Sequence, residues 1–491
     1  MSTWFPYKVF IRSAKTTISL SVISFVGFYL IVYPYDQESS NIWEPLDGNA
    51  TVPTLDLPST STLLKTTQEV KRPFIPIDPH QDFWQTTVLN KQKIHVYSAF
   101  LDQRLASQAI IRINVVAPFK TKSLRIPAPL CLLERRNGSL ITTNLVITQL
   151  KEHFSLPYCS YFFDCKLNHE PILHDLVRVA LTSEGQPLSM EGLAPLKIFT
   201  SPEYSVEIKE QMVMCVKPFH YNWDRALWLV EFMEMYKLLG VSHFVFYNHT
   251  VGSNVDKVLR KYTESHEATV LRWNLPLKSQ KEIRTEAIFT ALNDCNLRAV
   301  NRFQYAVVLD VDEFIFPRKK EVFTLQRMIQ DEIIRSQINR FGSFVTKNAF
   351  FYLYWENDTT TLSKFSDDPT TSLDHPYLLT QAKTRRTSTL KKHGYRSKYI
   401  CLPHKATLLG NHNVWTHISG FSQVNIPDSV ALSHHYRICE FGGFDCMKAP
   451  SVIDQTAHKW APDLFPALKN TCQLIFGSQG CPIAPPLGSP Y

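Results

Sequence analysis

Two aspartates separated by one residue, Asp310 and Asp312, have the spacing of a metal-binding pair. They follow an apolar segment, Tyr305 to Leu309, which predicts a buried strand. Because side chains alternate along an extended chain, both carboxylates should point to the same side. Carboxylate oxygens suit Mg²⁺ and Mn²⁺, which keep positions open for phosphate oxygens. We therefore expect a Mn²⁺ or Mg²⁺ site that binds a diphosphate, since unpaired aspartates at a buried strand end are costly without a cation.

The segments that must position these aspartates alternate between strands and helices from about residue 205. Three strand–helix units precede the aspartates, and the last of them contains a long predicted helix from Ser279 to about Arg302. This alternation predicts an α/β domain with a mostly parallel sheet, whose ligands bind beyond the carboxyl ends of the strands. A further strand is predicted from Ser343 to Trp355, and residues 91–204 predict a small N-terminal β-rich domain.

The N-terminal residues predict a membrane anchor. Residues 16–35 contain the apolar stretch Ile18 to Tyr33 and lie near the short end of the roughly 17–25 residues that span a bilayer. Basic residues precede this stretch and acidic residues follow it, which places residues 1–15 in the cytosol and the remainder in the lumen. A cleaved signal peptide is the alternative, but the residues after Tyr33 form a poor cleavage site. The short span favours a Golgi membrane over the plasma membrane.

Composition supports a luminal protein. Residues 36–90 are rich in Pro, Ser, Thr and Asp and predict an extended stem, and residues 446–491 predict a Cys- and Pro-rich C-terminal extension. Ten cysteines with no CxxC pair fit disulfides rather than a zinc ribbon. The net charge of +8 is mild and forms no basic stripe, which argues against nucleic-acid binding. The candidate N-glycosylation sites are Asn49, Asn137, Asn248 and Asn357.

An ordered set of segments between about residues 211 and 440 resembles glycosyltransferase family 92. The resemblance implies a GT-A fold over residues 205–445 and metal-dependent, inverting transfer, typically of galactose from UDP-galactose. The acceptor would be a glycan on a glycoprotein or glycolipid. The match is weakest at Ala349 to Asn357, where the acceptor should bind. The matching segments are Trp228 to Val241, Phe244 to Tyr247, Asn293 to Arg298, Leu309 to Pro317, Lys398 to Pro403, His412 to Trp415 and His434 to Arg437.

The resemblance also implies further site residues. It makes Asp294 and Arg298 candidates for donor binding, although their spacing also fits a plain helix-surface pair. Arg437 could pair with the diphosphate, because a guanidinium matches phosphate oxygens, or form an ordinary salt bridge. In many GT-A enzymes a late histidine completes the metal shell, which makes His412 and His435 candidate ligands and favours Mn²⁺ over Mg²⁺. A histidine hydrogen-bonded in a loop is the alternative for both.

Inversion requires a general base that deprotonates the acceptor hydroxyl. Glu356 is one candidate, because it follows a predicted strand and neighbours Tyr354 and Trp355, whose rings could pack against a sugar. Glu313 is the other, although its position beside the aspartates also fits a role in supporting the metal ligands.

Two other functions are compatible with the aspartate pair. A phosphatase of the haloacid dehalogenase type would use Asp310 as its nucleophile, but that class typically has Thr or Val where this sequence has Phe314. It also carries the motif on the first strand of the fold. A non-catalytic luminal glycan-binding protein would have no need of the metal site, whereas both aspartates are retained here.

Overall fold

The computed structural model describes most of the chain from Phe83 onward. The predicted tail, the predicted anchor, nearly all of the predicted stem and Asn49 lie outside the described residues. Within them, no helix is both long and apolar enough to cross a bilayer. The described residues are 83–105, 108–119, 128–167, 173, 175–202, 211–337, 339–358, 377–439 and 443–483.

The N-terminal β-rich domain is a barrel. β1 pairs with β2, and the other strands close a ring in the order β2-β3-β6-β5-β4-β7-β8, because β8 pairs back to β2. A disulfide between Cys131 and Cys165 joins β4 to β6. The barrel begins within the predicted stem, a boundary error that arose because β1 is short and half polar. The strands are β1 (Gln85–Leu89), β2 (Gln92–Asp102), β3 (Ile110–Pro118), β4 (Pro129–Arg135), β5 (Leu140–Gln149), β6 (Tyr158–Lys166), β7 (Leu176–Ser183) and β8 (Leu196–Thr200).

The α/β domain is built on a seven-stranded sheet in the order β11-β10-β9-β12-β17-β14-β20, which confirms the predicted fold class. Its first four strands run parallel, and β17 is antiparallel to both neighbours. A smaller sheet, β13-β21-β15, carries the residues just after the aspartates. The strands are β9 (Met212–Val216), β10 (His243–Asn248), β11 (Ala268–Arg272), β12 (Tyr305–Leu309), β13 (Glu313–Pro317), β14 (Phe341–Thr346), β15 (Asn348–Tyr352), β16 (Arg385–Thr387), β17 (Lys398–Cys401), β18 (Ala406–Leu409), β19 (Val414–His417), β20 (Ser422–Asn425), β21 (Ala431–Arg437) and β22 (Ser451–Ile453).

Helices cover both faces of this sheet. A disulfide between Cys215 and Cys295 fixes α3 to β9, with the two Cα atoms 5.9 Å apart. The α-helices are α1 (Ala226–Leu238), α2 (Ser253–Glu264), α3 (Ile288–Ala299), α4 (Leu325–Ser336), α5 (Leu379–Ala382) and α6 (Ala461–Phe476).

The predicted C-terminal extension is part of the α/β domain. Trp460, Leu464 and Leu468 are buried in the same core as α1, and Thr471 donates a hydrogen bond to Glu234 of α1 at 3.0 Å. The Cys- and Pro-rich composition of residues 446–491 did not predict this helix, because its apolar residues form a face only when they are read at helical spacing. Two more disulfides lie in this part of the chain, Cys439–Cys446 and Cys472–Cys481, whereas Cys159 and Cys401 are buried free thiols.

Two predicted elements are wrong in extent. The long helix from Ser279 is only α3, because Thr285, Glu286 and Ala287 adopt left-handed backbone conformations just before it. Trp273 holds this turn by donating its indole N–H to the Glu286 carbonyl at 2.6 Å. The strand predicted from Ser343 to Trp355 is divided into β14 and β15, which pair in different sheets.

Candidate active site

The end of β12 carries Asp310 between two lysines from the neighbouring strands. In the parallel pairing of β9 and β12, Val216 lies opposite Leu309, so Lys217 and Asp310 follow side by side. β17 lies on the other side of β12 and begins at Lys398. Both ammonium groups contact the same Asp310 oxygen, Lys217 in a short ion pair and Lys398 at 3.3 Å. The strand order of the sheet therefore builds a cationic frame around the first aspartate.

Glu313 and His435 extend this cluster through the smaller sheet. They lie opposite each other in the antiparallel pairing of β13 and β21. The Glu313 carboxylate contacts Lys398 at 2.8 Å, His435 Nδ1 at 3.0 Å and the backbone N–H of Asp310 at 3.2 Å. Its buried position and its three contacts fix the turn that presents Asp310 and Asp312.

The charges in the cluster are mutually stabilised. Burial by itself would raise the pKa of Glu313, but Lys398 and His435 outweigh it and hold that pKa well below its usual range. Burial would likewise lower the pKa of His435, but Glu313 and Asp312 raise it to about 9. Lys217, Lys398 and a protonated His435 thus equal the three carboxylates in number, although burial lowers the pKa of Lys217.

Asp312 is the carboxylate that remains open. Its side chain is 35% exposed, and its ion pair with His435 Nε2 is loose, at 3.5 Å. Oxygens of Asp310, Asp312 and Glu313 lie within 4.8 Å of one another. This oxygen set fits a hard divalent cation. Asp312 would be its principal ligand, because Asp310 and Glu313 are already paired with ammonium groups.

A cavity of about 540 Å³ opens over Asp310 and Asp312. This volume is in the range of pockets that bind small molecules. The aromatic side chains of Phe219, Trp223 and Trp228 also line the cavity, and the first two stack with centroids 5.1 Å apart. The cavity therefore combines charged groups with aromatic surface, as a site for a charged nucleotide and a sugar would.

His412 lines the same cavity. Its Nδ1 is 3.2 Å from the Ser397 carbonyl, and its Nε2 is 3.2 Å from the Asn411 amide nitrogen. Burial, with Lys398 and Lys217 nearby, lowers its pKa to about 4, so the ring is neutral at physiological pH. A neutral ring could ligate a metal, but in this structure it is held as a hydrogen-bonded loop residue.

The α/β domain coincides with a family model. Residues 210–462, more than half of the chain, match the model of glycosyltransferase family 92. The chain belongs to glycosyltransferase family 92. This finding confirms the predicted resemblance and gives no support to the phosphatase alternative. Comparison with curated protein sequences gave no match.

Some solved structures are similar to this glycosyltransferase only at a low level. Glucosyl-3-phosphoglycerate synthase from Mycobacterium tuberculosis is 10% identical, with a TM-score of 0.23 over 54% of this chain and 85% of its own. TarS from S. aureus is 10% identical, with a TM-score of 0.25 over 54% of this chain and 81% of its own. These values are too low to support an argument about substrate or site.

The structure does not place the predicted donor-binding pair in the cavity of the glycosyltransferase. Asp294 and Arg298 are buried on α3 where it faces the barrel. Arg298 Nε and Asp294 Oδ2 form an ion pair at 2.7 Å. The Asp294 carboxylate also accepts hydrogen bonds from Ser98 of the barrel at 2.5 Å and from Tyr247 at 2.7 Å. These contacts give the pair a role in holding the two domains together.

The remaining predicted residues fall near the cluster or on the surface. Arg437 lies two residues beyond His435, over the Phe350 ring at 5.1 Å and within electrostatic reach of Asp312. Glu356 occupies an exposed turn after β15 and is not among the residues that line the cavity. The predicted glycosylation sites Asn137 and Asn357 are exposed, whereas Asn248 is half-buried at the end of β10.

Lys217 was not predicted to be a site residue, and Lys398 was predicted only as part of a family segment. Lys217 directly follows the buried strand β9 and Lys398 is the first residue of β17, positions that are costly for a lysine unless a carboxylate lies nearby. The sequence from Gln211 to Pro218 already shows a lysine after an apolar strand. The carboxylate that pairs with Lys217 could be named only once the strand order was known.

Proposed function

We propose that this chain is a metal-dependent, inverting galactosyltransferase that transfers galactose from UDP-galactose to a glycan acceptor on a glycoprotein or glycolipid. The observation that carries the proposal is the Asp312 carboxylate, which is half-open to a large cavity and within electrostatic reach of Arg437, beside an Asp310 that is paired with Lys217 and Lys398. Family membership supports glycosyl transfer, and the resemblance of the motif segments to family 92 supports the choice of galactose.

Asp312 and Asp310 would hold a Mn²⁺ or Mg²⁺ ion. The neutral His412 ring is the candidate nitrogen ligand, whereas His435 could ligate the ion only after losing its proton. When bound, the cation neutralises the diphosphate and stabilises the departing UDP. Lys217 lines the cavity beside Asp310, where its ammonium can contact a diphosphate oxygen directly. Glu313, Lys398 and His435 hold the aspartate turn in place.

In the transfer step the acceptor hydroxyl oxygen forms a bond to the anomeric carbon of the sugar. The bond between that carbon and the UDP oxygen breaks, and UDP leaves with the electron pair. A carboxylate takes the hydroxyl proton. Glu356 remains our proposed base, because the salt bridges that lower the pKa of Glu313 make it a weak one. Since Glu356 does not line the cavity in this structure, it would have to approach the acceptor when substrates bind.

We further propose that the chain is anchored in the Golgi membrane through residues 16–35, with residues 1–15 in the cytosol and the enzyme in the lumen. Four disulfides and the exposed sequons at Asn137 and Asn357 support this orientation. Full-length protein in sealed microsomes should resist added protease and carry N-glycans that an endoglycosidase removes. Digestion of the enzyme without detergent would overturn the orientation.

The activity is tested by UDP release from a panel of UDP-sugars, with Mn²⁺, with Mg²⁺ and with a chelator. We expect release from UDP-galactose that requires a divalent ion and exceeds release from UDP-glucose and UDP-N-acetylglucosamine. Release from none of the UDP-sugars would refute glycosyl transfer, and a preference for another sugar would refute galactose.

The base is tested with Glu356→Gln in the same assay, with an acceptor present. We expect transfer to fall by roughly 10²-fold or more while UDP and metal still bind. Unchanged turnover would exclude Glu356.

A further inference from the structure

A loop of the barrel reaches the cavity of the α/β domain. The loop between β5 and β6, residues 150–157, contributes Glu152 and Phe154 to the cavity lining. Across from it, the turn before α3 contributes Arg284 and Thr285. The Arg284 guanidinium lies over the Phe154 ring, 4.6 Å from its centroid. Residues of both domains therefore form one rim of the cavity, and we call these four residues the rim.

The barrel loop is held in place although its tip is exposed. The His153 ring stacks on Phe119 of the barrel with centroids 3.7 Å apart, and the Ser155 N–H donates to His153 Nδ1 at 3.0 Å. On the other side, the Tyr158 N–H donates to the Glu282 carbonyl of the α/β domain at 2.8 Å. These contacts fix the loop against both domains.

The backbone on both sides of the rim is strained. Glu152, Phe154 and Ser155 all have positive φ, at 60°, 54° and 56°, and Thr285 has a φ of 41°. No glycine relieves this cost, which is of order 1 kcal/mol or more for each such residue. Strain of this kind is retained where the position of a side chain matters.

The side chains of the rim have the chemistry of a saccharide site. Phe154 is 55% exposed although Arg284 lies over its ring, so part of the ring surface is free to contact a ligand. An aromatic face packs against the C–H face of a sugar ring, while a carboxylate and a guanidinium bind hydroxyls. The rim residues line the same cavity as Asp310 and Asp312.

We propose that the rim is the acceptor subsite, in which the acceptor sugar packs on Phe154 and its hydroxyls bind Glu152 and Arg284. The barrel would then take part directly in acceptor binding, since it supplies two of the three side chains that contact the acceptor. This inference rests on the proposed function, because it takes the other half of the cavity to bind the donor.

The test compares Phe154→Ala with Phe154→Tyr and with Leu188→Ala, a control that removes a side chain of the barrel that is 61% exposed and does not line the cavity. The probes are methyl β-galactoside and methyl α-fucoside, with full-length enzyme, UDP-galactose and Mn²⁺. We expect Phe154→Ala to raise the acceptor KM about tenfold, the equivalent of one lost stacking contact. Leu188→Ala should match the wild type both in acceptor KM and in UDP release without acceptor. Phe154→Tyr keeps the aromatic face and should restore the acceptor KM towards the wild-type value.

Equal acceptor KM values for Phe154→Ala and the wild type would overturn the proposal. So would a parallel loss of acceptor-free UDP release, which would indicate a folding defect rather than an acceptor contact. If neither glycoside supports transfer, binding of each glycoside to the wild type is measured by saturation-transfer NMR with UDP and Mn²⁺ present. If neither glycoside binds, the proposed acceptor subsite is overturned. Absence of metal-dependent UDP release from the wild type would instead refute the proposed function.

Discussion

Two clusters in this enzyme each pair aspartate with basic side chains but differ in access to solvent. Asp294 on α3 is fully buried and saturated by Arg298, Ser98 and Tyr247. Asp312 at the end of β12 has one loose partner and faces the cavity. A charged pair that is closed on all sides contributes to the structure, whereas an incompletely paired carboxylate facing a cavity is available to a ligand.

The largest effect should come from Asp312→Asn. Loss of its charge removes the principal ligand of the cation, so UDP release should fall by about 10³-fold or more. The free energy of unfolding should change by less than about 1 kcal/mol, because the side chain is partly exposed. The control is Asp256→Asn, which alters an exposed helix pair with Arg260 and should leave activity unchanged. Retention of activity in Asp312→Asn would place the metal site elsewhere.

The opposite pattern is expected for Asp294→Asn. Removal of this charge leaves Arg298 buried without a counter-charge, which should lower the free energy of unfolding by about 3 kcal/mol in chemical denaturation. The protein that remains folded should keep the wild-type KM for UDP-galactose. A stable variant with a raised donor KM would restore the donor-binding role predicted from the sequence.

A smaller effect is expected for Lys217→Met. Lys398 still pairs with Asp310 in this variant, so the fold should persist, but one positive charge is lost beside the diphosphate. The KM for UDP-galactose should rise about tenfold, the effect of one charge-assisted contact. Lys217→Arg serves as the matched variant that keeps the charge. A donor KM that is unchanged in Lys217→Met would confine Lys217 to an internal ion pair.

The smallest effect concerns pH and the metal-free protein. His435 has a pKa of about 9 in the folded state, above the usual value of 6.5. Its pairing with Glu313 and Asp312 is therefore fully present below pH 6.5 and is lost as pH rises through 9. With a chelator present, the free energy of unfolding should fall more in the wild type than in His435→Gln between pH 6.5 and 9.5. An equal pH dependence of the free energy of unfolding in the two proteins would show that His435 carries no stabilising charge in the folded protein.

The parts of the site that depend on local pattern could be predicted from the sequence. An apolar strand that ends in two aspartates, after three strand–helix units, placed Asp310 and Asp312 correctly at the end of a central strand. Lys398 could not be assigned in this way, because β17 joins β12 from almost 90 residues further along the chain.

Other features depend on contacts between domains or on an uncommon backbone. Glu152 and Phe154 reach the cavity from the barrel, which no local pattern can indicate. The left-handed turn at Thr285 to Ala287 contains no glycine, so the segment resembled a continuous helix. Asp294 and Arg298 have ordinary helical spacing, and only their burial separates a structural role from a functional one.

The central claim, that the open cluster binds a metal–nucleotide pair, is tested most directly by calorimetric titration of UDP into the wild type and into Asp312→Asn, with and without Mn²⁺. We predict that Mn²⁺ strengthens UDP binding to the wild type by at least about tenfold and has no such effect on Asp312→Asn. UDP binding that is the same with and without the metal in the wild type, or metal enhancement that survives in Asp312→Asn, would contradict this account.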